Sequence, residues 1–201
     1  MKRSLDIIIA LFALILLSPI FLLVCHKVKK YLGSPIFFYQ ERPGKDGKIF
    51  RMIKFRSMKD AFDQEGNPLP DEERITPFGQ KLRSTSLDEM PQLINVLKGD
   101  MSIVGPRPQM KEFLQHYTPE QMRRHEVRPG MTGLAQVSGR NNLSWEEKFA
   151  LDVKYVDNHN IWQDFKIMLK TFLVMFNKEG INAPNQAVGA TRFSSQNTSK
   201  N

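Results

Sequence analysis

A single cysteine, Cys25, excludes an internal disulfide framework and suits a reducing compartment. The four histidines (His26, His116, His125 and His159) lack zinc-ligand spacing, and one cysteine cannot complete a structural zinc site. No glycine-rich P-loop and no Gly-x-Gly-x-x-Gly turn occurs, so the common nucleotide-phosphate cradles are absent. The Gly-x-Ser-x-Gly elbow of serine hydrolases is also missing. Internal repeats are not visible. Hydrophobic residues make up 41% of the 201 and charged residues 25%, too polar for a polytopic membrane protein and too apolar for a disordered chain.

The charge that is present is concentrated. From His26 to Asp60, ten Lys or Arg (27, 29, 30, 42, 45, 48, 51, 54, 56 and 59) face Glu41, Asp46 and Asp60, which accounts for most of the net +8. A basic stretch beside an apolar one attracts anionic lipid, phosphate-bearing substrate, or both. Nucleic acid is not expected as a partner, because no recognition motif accompanies the charge.

The apolar stretch is Ile7 to Cys25, with no charged residue. At ~1.5 Å per residue it is barely long enough to cross a bilayer as one straight helix. Ser18-Pro19 interrupts it, since proline removes a helical hydrogen bond and clashes with the preceding turn. Lys2 and Arg3 precede the segment; Lys27, Lys29 and Lys30 follow it. Positive residues prefer the cytoplasmic face, so a re-entrant hairpin over 1–31 is preferred to a kinked span. No small-residue cleavage site follows, which argues against a signal peptide.

Beyond it, Ile36–Gln40 and Ile49–Phe55 read as strands of a hairpin around Arg-Pro-Gly-Lys-Asp-Gly-Lys. Residues 60–73 read as an exposed loop. A helix is expected over Leu87–Leu97, and capping boxes at Thr118 and Ser144 open two more. Ile161–Phe176 is strongly amphipathic; its apolar face is expected in the core, with the membrane interface as the alternative. The fold class is therefore α+β, mainly helical, with a domain over 32–181 and a polar tail over 182–201 expected to be disordered until it meets a partner.

The chemistry centres on Asp88-Glu89. Pro91 belongs in a first helical turn, which places Asp88 at or near an N-cap, the usual seat of a merely structural acid. The surroundings favour function instead. Gly-Pro-Arg107-Pro and Ser-Gly-Arg140-Asn hold arginines on glycine- and proline-rich turns, Lys54-Phe-Arg56-Ser-Met follows the hairpin, and Arg83 lies five residues before the dyad. An ionised carboxylate can attack phosphorus, and its neighbour can hold a divalent cation.

Together with Ser18-Pro19, the blocks Lys54–Met58, Ser86–Gln92, Lys98–Pro108 and Arg128–Arg140 resemble the monotopic bacterial phosphoglycosyl transferases of the bacterial sugar transferase family. The match is closest to the small PglC-type enzymes and weakens after about Asn182. The resemblance implies an enzyme at the cytoplasmic face of the bacterial inner membrane. It implies transfer of a sugar-1-phosphate from a UDP-sugar to undecaprenyl phosphate, with release of UMP. Asp88 is then the nucleophile, Glu89 a ligand for Mg2+, and Lys54, Arg56, Arg83, Arg107 and Arg140 candidate phosphate-binding residues. UDP-N,N'-diacetylbacillosamine, for N-linked protein glycans, is the first sugar implied; galactose, glucose or another N-acetylaminosugar for surface polysaccharide is the alternative.

Overall fold

The computed structural model describes residues 1–139 and 142–176; Arg140 and the 182–201 tail lie outside the described residues. Two helices lead the chain, α1 (Lys2–Leu16) and α2 (Ser18–Leu32). No single helix is long and apolar enough to cross a membrane, but this pair qualifies together and is bent by 65°. The bend falls where the sequence places it. Pro19 has no N–H to offer the Ile15 carbonyl, and the Ser18 hydroxyl donates to that oxygen instead at 2.8 Å.

Each helix turns only a narrow stripe inward. Ala10 of α1 packs with Met52, Leu93, Val96 and Met101, whereas Val24, Val28 and Leu32 of α2 pack with Phe55, Leu82 and Met90. Much of the remaining apolar surface, including Ile8, Leu11, Phe12, Ile15, Leu16 and Leu22, is exposed.

The strands β1 (Phe37–Pro43) and β2 (Ile49–Phe55) form an antiparallel hairpin with Phe37 opposite Phe55 and Pro43 opposite Ile49. The first strand runs three residues beyond its predicted end. Pro43 is tolerated because it sits at the terminus of a two-stranded ladder, where no neighbour needs its N–H. The free edge of β2 is closed by a side chain rather than a strand. Asn95 accepts from the Ile53 N–H at 2.9 Å and donates to the Arg51 carbonyl at 2.8 Å.

The loop expected over 60–73 ends in a short helix, α3 (Asp71–Arg74), followed by α4 (Pro77–Ser84). The long helix expected from Leu87 is replaced by a 3-10 turn, Leu87–Glu89, and a shorter α5 (Gln92–Lys98). Leu87 and Met90 bury against the α2 cluster, and Pro91 stands at the N-cap of α5. Then come β3 (Ser102–Val104), α6 (Pro119–Met122), β4 (Gly130–Thr132), α7 (Leu134–Ser138), α8 (Trp145–Asn158) and α9 (Ile161–Phe176). Both expected capping boxes are present, at α6 and α8.

The short parallel pair β3–β4 is not anticipated by the sequence pattern, since three residues are too few to show alternation. Its close approach explains two glycines. A Cβ on Gly105 would meet the Arg128 carbonyl at 2.4 Å, and one on Gly130 would meet the Gly105 nitrogen at 2.1 Å.

The expectation that the apolar face of α9 enters the core is overturned. Ile167 is buried, but Trp162, Phe165, Leu169, Phe172 and Leu173 are more than half exposed. Asp164, hydrogen-bonded by the Tyr155 hydroxyl, takes an inward position beside Ile167.

Candidate active site

Asp88 and Glu89 sit in the 3-10 turn, entered through Ser86 in a left-handed conformation (φ +55°). Such backbone is uncommon for a residue with a Cβ and forces a tight reversal ahead of the dyad. Because Leu87 and Met90 plug into the α2 cluster, the depth of the dyad is set by the apolar helix pair.

The two neighbouring acids live in opposite environments. Glu89 receives Lys54 Nζ at 2.9 Å and both terminal nitrogens of Arg107, at 2.5 and 3.2 Å. Burial pushes its carboxyl up, but Arg107 and Lys54 outweigh that and hold it well below the usual carboxylate range. Asp88 is 8% exposed and accepts no hydrogen bond from the described residues. Burial, with the Glu89 charge beside it, raises its pKa to about 6 against the pull of Lys54, Arg83 and Arg107. At neutral pH it is an ionised, weakly solvated carboxylate more basic than an ordinary one.

The cations are held from behind. Lys54 follows Ile53, whose N–H is gripped by Asn95. Arg107 lies between Pro106 and Pro108, and its carbonyl accepts from Arg124 at 2.7 Å. Arg124 is itself buried, paired with Asp152 and bonded to the Tyr117 hydroxyl. His125 accompanies it; burial and the Arg124 charge lower its pKa to about 4, so it is neutral when it meets the Gly44 carbonyl.

The structure brings Lys54, Arg83 and Arg107 into charge range of the dyad. Arg56 goes elsewhere: it donates to the Ser34 carbonyl and to Asp60, fixing the α2–β1 junction. Asp88, expected at or near an N-cap, lies in the 3-10 turn just ahead of the Pro91 N-cap of α5.

Sequence reasoning passes over several residues. Asp6 is buried and accepts from the Ser102 hydroxyl and the Ile103 N–H. Arg42, in β1, is drawn toward the site. Gln136 carries a buried amide with neither end partnered among the described residues. One signal could have found Asp6: a lone acid in a membrane-like helix needs a partner.

Among the described residues no three His, Cys, Asp or Glu converge on a metal position. A magnesium ion that also binds substrate phosphates needs only one or two carboxylate oxygens from protein. Asp88 is free, and Oε2 of Glu89 carries a single hydrogen bond, at 3.2 Å, so the donor set fits such an ion.

Comparison with known proteins bears on all of this. The chain is 51% identical over 193 residues to the uncharacterized sugar transferase EpsL of Bacillus subtilis, covering 96% of this chain and 95% of that protein. It is 41% identical over 184 residues to a UDP-glucose:undecaprenyl-phosphate glucose-1-phosphate transferase of Klebsiella pneumoniae, and 38% over 197 residues to an undecaprenyl-phosphate galactose phosphotransferase of Salmonella typhimurium. It covers only 39% and 41% of those two proteins, against 85% and 90% of its own length. The family model described as Bacterial sugar transferase matches residues 1–178, so the chain belongs to the bacterial sugar transferase family and is a transferase enzyme.

Proposed function

We propose that the protein transfers a sugar-1-phosphate from a UDP-sugar to undecaprenyl phosphate through a covalent intermediate on Asp88. The observation that carries this is the contrast within the dyad: one acid neutralised by two cations, the other desolvated, unpaired and still ionised at pH 7. A carboxylate oxygen of Asp88 attacks the sugar-linked phosphorus, and the bond to the bridging oxygen breaks with its electron pair leaving on UMP. An oxygen of undecaprenyl phosphate then attacks the phosphosugar, and the Asp88–phosphorus bond breaks to restore the carboxylate. Lys54, Arg83 and Arg107 offset the charge that builds on the phosphates. Magnesium, held through Glu89, would neutralise the diphosphate when bound.

The names of the relatives shift the sugar. They speak of glucose and galactose, so a hexose-1-phosphate for a surface polysaccharide is favoured over diacetylbacillosamine for protein glycans.

A membrane setting follows from the same reading. Both ends of the bent pair meet one domain: Lys2 pairs with Asp164, Arg3 donates to the Val96 and Leu97 carbonyls, and Val28 and Leu32 of α2 pack with Leu82 and Met90. Ends fixed to one body cannot lie on opposite faces of a bilayer, which supports a re-entrant hairpin at the cytoplasmic face. The exposed face of α9 then lies along the interface.

Intact-mass spectrometry with UDP-galactose, UDP-glucose and UDP-N-acetylaminosugars, plus magnesium and no lipid acceptor, tests the proposal. A phosphosugar adduct should appear with the cognate sugar and be absent in Asp88→Asn. An adduct that persists in that variant defeats the assignment.

A further inference from the structure

Among the described residues Arg42 is a cation without an anion of its own. Its Nη2 donates to Gln40 Oε1 at 2.7 Å, a neutral partner, while its buried Nε has no partner among those residues. Among the described residues it forms no ion pair, although Glu89 and Glu112 attract it from a distance. Burial, together with repulsion from Arg107, lowers its pKa to about 10. A guanidinium that is desolvated beside a second guanidinium is unfavourable unless a negative group completes the site.

The hairpin register shows where that group belongs. Arg42 pairs with Phe50, Gln40 with Met52 and Phe38 with Lys54, so Arg42, Gln40 and Lys54 share one face of the sheet. From Lys54 to Arg42 that face runs ~13 Å along the strands. Lys54 stands at the dyad end and grips Glu89; Arg107 also grips Glu89 and lies close enough to repel Arg42. The row therefore leads from the reacting carboxylate toward a far end whose charge is unmatched.

We propose that Arg42 binds the phosphate of the nucleotide half of the substrate and receives the charge that departs on UMP. This rests on the transfer proposed above. With the sugar-linked phosphorus at Asp88, the other phosphate of the diphosphate lies one bridging oxygen away, and Arg107 and Arg42 flank its exit. Gln40 fixes one terminal nitrogen, which orients the guanidinium while leaving donors for a phosphate oxygen. The same chemistry could instead serve the lipid phosphate, and the two half-reactions separate these sources.

The test uses the full chain in lipid nanodiscs with cognate UDP-sugar and magnesium. Adduct formation is timed by mass spectrometry without acceptor, and discharge is timed after undecaprenyl phosphate is added. Arg42→Gln should form the adduct at least 100-fold more slowly and lose at least tenfold in inhibition by UMP, while its accumulated adduct discharges within twofold of the native rate. Arg42→Lys should recover part of both losses. Normal adduct formation with slow discharge assigns Arg42 to the lipid phosphate and overturns the proposal; unchanged rates in both halves overturn it as well. Should Arg42→Gln not fold, Arg42→Lys decides: UMP inhibition equal to the native enzyme's overturns the assignment. Failure of the native enzyme to form any adduct sinks the Asp88 mechanism, a result distinct from all of these.

Discussion

Two arginine–carboxylate clusters flank one loop, and they are built differently. Behind it, Arg124 and Asp152 pair one to one with almost no exposure, and the spare donors of Arg124 go to Tyr117 and the Arg107 carbonyl. In front, Arg107 and Lys54 share Glu89, Arg83 stands near Asp88, and Arg42 has no carboxylate to itself. The rear cluster is balanced in charge, although Asp152 Oδ1 has no partner among the described residues, and it acts as a brace. The front one holds an excess of positive charge around one unpaired acid, which is an arrangement suited to substrate phosphates rather than to holding the fold together.

The comparison breaks most sharply if the rear pair is cut. Arg124→Met leaves Asp152 buried and unpaired, and should cost about 3–5 kcal/mol in denaturant unfolding. Arg124→Met with Asp152→Leu should recover much of the stability but not the activity, because Arg107 loses the support at its carbonyl. Asp6 belongs with the bracing kind, since Ser102 and Ile103 satisfy it. Asp6→Ala should lose about 2–3 kcal/mol by the same measurement and loosen α1, exposing Val96 and Met101 to hydrogen exchange.

Asp88 should behave in the opposite way. Its carboxyl titrates near 6 in the fold and near the ordinary value when unfolded, so the folded state keeps a proton that the unfolded chain releases between those values. Its contribution therefore falls as pH rises from about 4 to about 6 and stays unfavourable above. Asp88→Asn should leave stability unchanged at pH 4 and raise it by about 1–3 kcal/mol at pH 7. A variant less stable than native at pH 7 would contradict the desolvation argument.

How legible all this was depended on the range of the signal. The bend at Ser18-Pro19, the hairpin and both capping boxes are local, and each follows from one or two side chains acting on their own backbone. The dyad, Lys54, Arg83 and Arg107 could be named because two adjacent acids, an arginine five residues before them, a basic strand end and an arginine between prolines are each visible in a few residues. Asp6, Asn95 and Arg124 could not, because their partners lie 96, 42 and 28 positions away and no spacing announces them. Arg42 was hidden by Pro43, which reads as a turn but ends a strand. The face of α9 was misassigned because amphipathic periodicity records that one side is apolar, not whether protein or lipid covers it.

The most direct measurement is the stoichiometry of UMP released in one rapid mix of enzyme with excess cognate UDP-sugar and magnesium, before any lipid acceptor is present. A desolvated carboxylate that bonds to phosphorus requires a burst approaching one UMP per active site, lost in Asp88→Asn. UMP that forms only once undecaprenyl phosphate is added would mean direct transfer between the two substrates, and Asp88 would not be the nucleophile.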